Sequence, residues 1–408
     1  MIHKVLLLTL FSSFVFNLAG QVHFEDHSIH SQSIGTAMQL QVYYPQSYLS
    51  ITKDYPVVYV LDGQWFFYNG VGIQETLRGE NVMPEMIVVG VSFRNRPFRD
   101  SLLQVNWKGV VEYVQNEVPE FINDNYRTLK EQVLFGWEQN AAIACEVLLT
   151  ENSPFLGAIA SNGGFANEQM LSNQQAFQGG KKYLFVANSK YDVYTRASGY
   201  ELVNQLEKHP LNNLEWTFQS FDDEVHESLP YVSLYRGLRY FYHNYSAYII
   251  ADTREFTERG GLPELKRYFQ ERGERFGLDT AVSASTKNML IWLAWKQDDF
   301  ESFRYFMNEF EEVLSSRRYA SAYWQHRLGS YYLVNDHFQE AIQYFTTGIE
   351  QYPDQTFLSA MYAKRGKAFA QLGDLIRAKK DLKTAISIAG EHHEDALEEY
   401  KVLLKQLN

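Results

Sequence analysis

Val133-Leu-Phe-Gly-Trp-Glu-Gln-Asn-Ala-Ala-Ile-Ala-Cys-Glu-Val-Leu-Leu149 reads as a short buried strand, a tight turn and an apolar helix. Gly136 and Glu138 stand in the turn, and Asn140 follows it. A strand that turns sharply into a helix lifts the residue at the turn clear of a sheet and sets it beside unpaired helix amides.

The flanking sequence places that unit in a sheet. Residues 22 to 44 alternate polar and apolar, as in Gln39-Leu-Gln-Val-Tyr-Tyr44, the pattern of antiparallel strands. Tyr55-Pro-Val-Val-Tyr-Val-Leu61 is a continuous apolar run, expected of a strand buried on both faces. Asp62-Gly63 follows at its C-terminal end, where open α/β sheets place ligand loops. Met86-Ile-Val-Val-Gly-Val91 is another buried strand, and Asn95-Arg-Pro-Phe-Arg-Asp100 reads as a polar loop. Trp107 to Asn125 carries Val110, Val111, Val114, Val118 and Phe121 at helical spacing. Further strands are Leu156–Ala160, Tyr183–Ala187 and Glu215–Phe221, with helices over Ala197–Leu206 and through Leu234 to Tyr242. Strand alternating with helix is a doubly wound α/β sheet with helices on both faces.

Several separated blocks resemble the esterase D family of α/β-hydrolases, which includes enterochelin esterase-like enzymes and mycolyltransferases. They are Tyr55–Gly63, Met86–Val91 with Asn95-Arg96 and Arg99-Asp100, Asn125-Tyr-Arg-Thr128, and His226 followed by Pro230 and Ser233–Leu238. The resemblance implies an α/β-hydrolase domain over residues 21–252. In such enzymes the turn is a nucleophile elbow, G-x-S-x-G, whose serine attacks an ester while a histidine takes its proton and an acid orients the histidine. It implies His226 as the histidine and Asp192 as its acid, with Asp222 and Asp223 as competitors. Backbone amides of Gly63 or Gln64 and of Gln139 would form the oxyanion hole. No metal or cofactor is implied.

The elbow departs from the family pattern. Glu138 stands where the serine should be, Asn140 where the second glycine should be, and Ala141 where a further glycine is usual. A carboxylate attacking an ester would give a mixed anhydride, a poor intermediate, and Glu138 could itself fill the oxyanion hole. The expected function is an esterase-like protein that is catalytically impaired and acts in binding or protein interaction. One alternative is an active hydrolase of carboxylic esters or related substrates that uses His226 and a non-standard nucleophile. That nucleophile would be Glu138, forming alkyl-enzyme esters as aspartate does in some α/β-hydrolases, or Ser161 after the next strand.

After about Asp252 the chain becomes helical. Trp324, Leu328, Gly329, Tyr332, Ala341, Phe345 and Pro353 fit the tetratricopeptide pattern. A second copy has Gly366, Phe369, Ala378, Leu382 and Ala385 at the same offset, and Asn288–Leu314 reads as a degenerate earlier one. Residues 253–408 are therefore expected to form an all-α helical-repeat domain that binds a protein or peptide. A small ester-like ligand in the hydrolase cleft is the other expected partner.

Composition narrows the remaining classes. The 408 residues are 45% hydrophobic, enough for large cores, and the net charge of −12 argues against a nucleic-acid partner. The single cysteine, Cys145, forbids an internal disulfide and reads as a small buried hydrophobe. Val5 to Leu18 is a mostly apolar run after Lys4, ending in Leu18-Ala19-Gly20. That is the form of a secretory signal peptide cut near Gly20, so the protein is expected to be exported, to periplasm or exterior. No later segment is apolar enough to span a membrane.

Overall fold

The computed structural model of the chain describes residues 24–78, 82–150, 152–172, 180–246 and 248–407. The expected leader and its cleavage point lie outside these residues. The chain divides into two compact units, Met1–Ala247 and Tyr248–Asn408. The division falls a few residues before the expected boundary at Asp252, because Tyr248 and Ile250 are already buried in the second unit's core.

The first unit is built on an eight-stranded sheet. Its strands are β1 (Phe24–Ser31), β2 (Thr36–Tyr43), β3 (Tyr55–Leu61), β4 (Ile87–Ser92), β5 (Thr128–Trp137), β6 (Gly157–Ser161), β7 (Lys182–Ser189) and β8 (Leu214–Phe221). The order is β1-β2-β4-β3-β5-β6-β7-β8. β1 and β2 pair antiparallel, β2 runs antiparallel to β4, and every other pairing is parallel. All seven residues of β3 and all six of β4 are buried, as the apolar runs require of strands covered on both faces. Burying each Val or Leu side chain contributes roughly 1.5–3 kcal/mol, which fixes these two strands at the sheet centre.

Three local features add to or differ from the sequence reading. Gly63–Leu77 is a helix starting directly at the end of β3. Arg96–Val105 is also a helix, where a polar loop was expected over Asn95–Asp100. Asn95 caps it by accepting from the Phe98 amide at 3.0 Å, and Pro97 fits the first turn, where an amide has no acceptor. The expected helix from Trp107 to Asn125 is interrupted by a π turn at Tyr113–Glu117. Pro119 has no amide for the preceding turn, and the wider turn absorbs that loss.

The second unit is helical. Ala284–Lys296 pairs with Phe300–Glu309, Ala322–Val334 with Phe338–Gln351, and Gln355–Gln371 with Leu375–Glu391. Leu397–Gln406 packs on the last pair. Gly329 is required where the middle pair touches, since a Cβ there would lie 2.7 Å from the Phe345 ring. Among the described residues no helix is long and apolar enough to cross a membrane.

Candidate active site

β5 ends at Trp137, the helix Gln139–Leu149 begins two residues later, and Glu138 is the single residue between them. Its backbone sits at φ 54°, ψ −124°, a conformation that costs a non-glycine residue on the order of 1–3 kcal/mol. The turn is tight enough that a Cβ on Gly136 would come 2.0 Å from the Asn140 carbonyl oxygen. The amide of Glu138 donates to the Ser161 carbonyl at 3.0 Å, tying the turn to the end of β6. Gln139 is the first helical residue, so its amide has no acceptor within the helix. Gly63 and Gln64 begin their own helix after β3 in the same way.

The Glu138 side chain is 11% exposed and its carboxylate is held from two sides. His226 Nε2 lies 2.6 Å from Oε1. Arg99 Nη1 donates to Oε2 at 3.1 Å, and Arg96 Nη1 lies 3.3 Å from the same oxygen. Arg96 is exposed, and its guanidinium rests 5.2 Å from the Trp65 ring and 5.3 Å from Trp137. Arg99 is fully buried: Nε donates to Asp62 at 2.8 Å and Nη2 to the Trp137 carbonyl at 3.1 Å. Asn140 donates to the other Asp62 oxygen at 2.9 Å. Burial pushes the Asp62 carboxyl above its ordinary range, opposed by Arg99, Asn140 and Gln64. Burial pushes the Arg99 pKa down, but Asp62 and Glu138 outweigh it and raise it above the ordinary arginine value.

Behind His226 stands Asp192, fully buried, with Oδ2 3.2 Å from Nδ1. The nitrogen is close but off the line of a hydrogen bond, and it has no other partner. Asp192 accepts from Thr195 Oγ1 at 2.7 Å and from the amides of Tyr194 at 2.7 Å and Thr195 at 3.2 Å. Burial raises its pKa, but these hydrogen bonds and His226 outweigh that and hold it below the usual carboxylate range. Asp222 is instead exposed and pairs with Lys190 at 3.7 Å. Asn162 fixes the histidine loop, donating to the His226 carbonyl at 3.1 Å and accepting from the Ser189 amide at 2.9 Å.

The structure thus brings Glu138, His226 and Asp192 into one line. A cleft of about 440 Å³ opens beside Glu138, lined by Trp107, Gln139, Ala142, Phe165 and Thr195. It sets Ser161 apart: that residue is buried, and its hydroxyl accepts from Ser233 at 2.8 Å. Cys145 is buried too, and burial pushes its thiol up to about 12, which keeps it protonated and unreactive. Arg99, Arg96 and Asp62 are site residues that the sequence reading quoted without assigning a role. The available signal was an arginine pair one helical turn apart beside a lone acidic elbow residue.

Residues 31–194 match the family described as "Putative esterase". This segment is an esterase-family domain. Residues 359–392 match a tetratricopeptide repeat. Among solved structures, the chain is similar to an IroE-like serine hydrolase from Shewanella oneidensis, at 18% identity and a TM-score of 0.50, covering 70% of this chain and 98% of that one. It is also similar to an uncharacterised protein from Capnocytophaga ochracea, at 15% identity and a TM-score of 0.55, covering 85% of this chain and all of that one. Identities this low show a shared fold. No curated protein matches the chain. The elbow lies within the first matched segment, and the repeat match covers the last helix pair.

Proposed function

We propose that the esterase-family domain has lost serine-type acyl transfer and serves as a binding module in an exported protein, with the helical unit contacting a partner. One observation carries this reading: the residue at the elbow is Glu138, and its two oxygens are occupied by His226 and Arg99. An elbow nucleophile must reach a substrate carbonyl with a lone pair free. A carboxylate held between an imidazole and a buried guanidinium is poorly placed to do so, and its acyl product would be an anhydride. The leader-like run before Gln21 supports export, which the mass of the mature N-terminus would test.

The direct test is hydrolysis of p-nitrophenyl acetate by the full chain beside Glu138→Ser. The expected result is background turnover for the wild type and a gain of about 10²-fold or more for Glu138→Ser, since the histidine, its acid and the helix amides remain. Ordinary esterase rates in the wild type, abolished by Glu138→Ala, would overturn the reading.

A second reading has one supporting observation. Asp192 stands behind His226, as it would if the pair activated water against an alkyl-enzyme ester on Glu138. Incubation with an epoxide or haloalkane would then add the alkyl mass to the peptide containing Glu138.

A further inference from the structure

Arg96 is an exposed arginine held in a confined place. Its side chain is 48% exposed, and its only polar partner among the described residues is Glu138, at 3.3 and 3.5 Å. Beside it the Trp65 and Trp137 rings meet at 89°, with centroids 6.0 Å apart. The guanidinium lies 5.2 Å from the first ring and 5.3 Å from the second. Two indoles and a carboxylate around one guanidinium are what an organic cation needs. The ring faces attract it electrostatically, and the carboxylate supplies the counter-charge. The hydrogen bonds to Glu138 are long, and an ion pair this open to solvent is weak. Arg96 is therefore a replaceable occupant.

The charges at the elbow favour a cation there. Arg99 is matched by Asp62 at 2.8 Å. Glu138 and Asp192 then share His226, at 2.6 and 3.2 Å. Two carboxylates on one imidazole leave a negative charge even when the ring is protonated. The adjoining cleft of about 440 Å³ has the size of a small-molecule site. Glu138 is the only charged residue among the described residues that line it. Trp107, Ala142 and Phe165 give it an apolar wall, and Gln139 and Thr195 are neutral. No lining cation is present to hold an anionic ligand, and the apolar wall suits a short hydrocarbon body.

We propose that this cleft binds a small organic cation, a guanidinium or substituted ammonium on a short apolar body, whose head takes the place of Arg96 against Glu138 and the two indoles. The proposal rests on the reading of the esterase-family domain as a binding module and names the chemistry of its ligand.

The test is isothermal titration calorimetry of the full chain with butylguanidinium, against butylurea, its neutral counterpart of similar shape, and butanoate. Butylguanidinium is expected to bind about tenfold or more tightly than butylurea and to weaken as salt rises. Arg96→Gln removes an exposed internal competitor, so it should tighten butylguanidinium about tenfold. Glu138→Gln, shown to be folded at the assay temperature by its melting curve, should weaken it about tenfold. Equal binding of butylguanidinium and butylurea overturns the proposal, as does no binding of either in both wild type and Arg96→Gln. Unchanged or lowered affinity in Arg96→Gln, or tighter binding of butanoate, also overturns it, since the arginine would then be no stand-in for the ligand. A blocked peptide carrying one arginine that bound where butylguanidinium did not would overturn the free ligand in favour of a partner's side chain. The binding-module reading falls separately, by ester hydrolysis in the wild type. Absent cation binding in an inactive wild type overturns the ligand assignment alone.

Discussion

Nε2 of His226 stands 2.6 Å from Oε1 of Glu138, the place where an elbow serine would present its hydroxyl. The same carboxylate also accepts from Arg99 at 3.1 Å, so the elbow side chain is held from two sides. Glu138→Gln keeps the side chain's shape and removes its charge. The amide oxygen can still accept from Arg99 while the NH2 faces His226 Nε2, so what is lost is the negative charge that the buried guanidinium faces. We expect a loss of about 2–3 kcal/mol in urea unfolding, since the site is nearly closed to solvent. An unchanged unfolding midpoint would mean that the pair contributes nothing to the fold.

Arg99 is the common partner of the elbow and of Asp62, donating to Asp62, Glu138 and the Trp137 carbonyl. Arg99→Met fills similar volume but strands a fully buried Asp62. The expected cost is about 3–5 kcal/mol. Adding Asp62→Leu should recover part of that loss, because removing both members of a buried pair costs less than removing one. If the double variant is less stable than Arg99→Met, Asp62 is held by Asn140 and Gln64 rather than by the arginine.

The inner strands β3 and β4 were legible because they are nearly continuous apolar runs, and β2 because it alternates polar and apolar residues. Glu138, His226 and Asp192 were singled out by the family resemblance, whose elbow, acid and histidine positions they match, and their side chains lie together in the structure. The helix Arg96–Val105 was not, since its first turn is Arg-Pro-Phe-Arg and resembles a loop until Asn95 is recognised as its cap. With that helix missed, Arg99 could not be aimed at Glu138. The helical repeats were legible at Gly329 and Ala341, where helices approach closely.

Gly136 and Gly72 should respond oppositely to alanine. A Cβ at Gly136 would sit 2.0 Å from the Asn140 carbonyl oxygen, a backbone atom that cannot step aside without opening the elbow. Gly136→Ala is expected to lose about 2–4 kcal/mol. Gly72 lies inside the helix Gly63–Leu77 with nothing within 4 Å of an added Cβ. Gly72→Ala should gain about 0.5–1 kcal/mol by restricting the unfolded chain. Melting temperatures of the two variants would test the pair. Equal and small shifts would show that the elbow is looser than its backbone implies.

His326 should make the helical unit acid-sensitive. Burial, aided by the charge of Lys364, pushes its imidazole down from 6.5 to about 4. The folded value lies below the unfolded one, so between them the unfolded chain binds the extra proton. The neutral ring's contribution is complete above pH 6.5 and is lost as pH falls toward about 4. Discounted for the ring's partial exposure, the loss between pH 7 and pH 5 is about 1 kcal/mol. His326→Gln should remove that part of the pH dependence in urea unfolding followed by tryptophan fluorescence, while wild-type protein retains it. An NMR titration placing the His326 midpoint near 6.5 would show that Lys364 and burial leave the ring free to protonate, and the predicted difference would vanish.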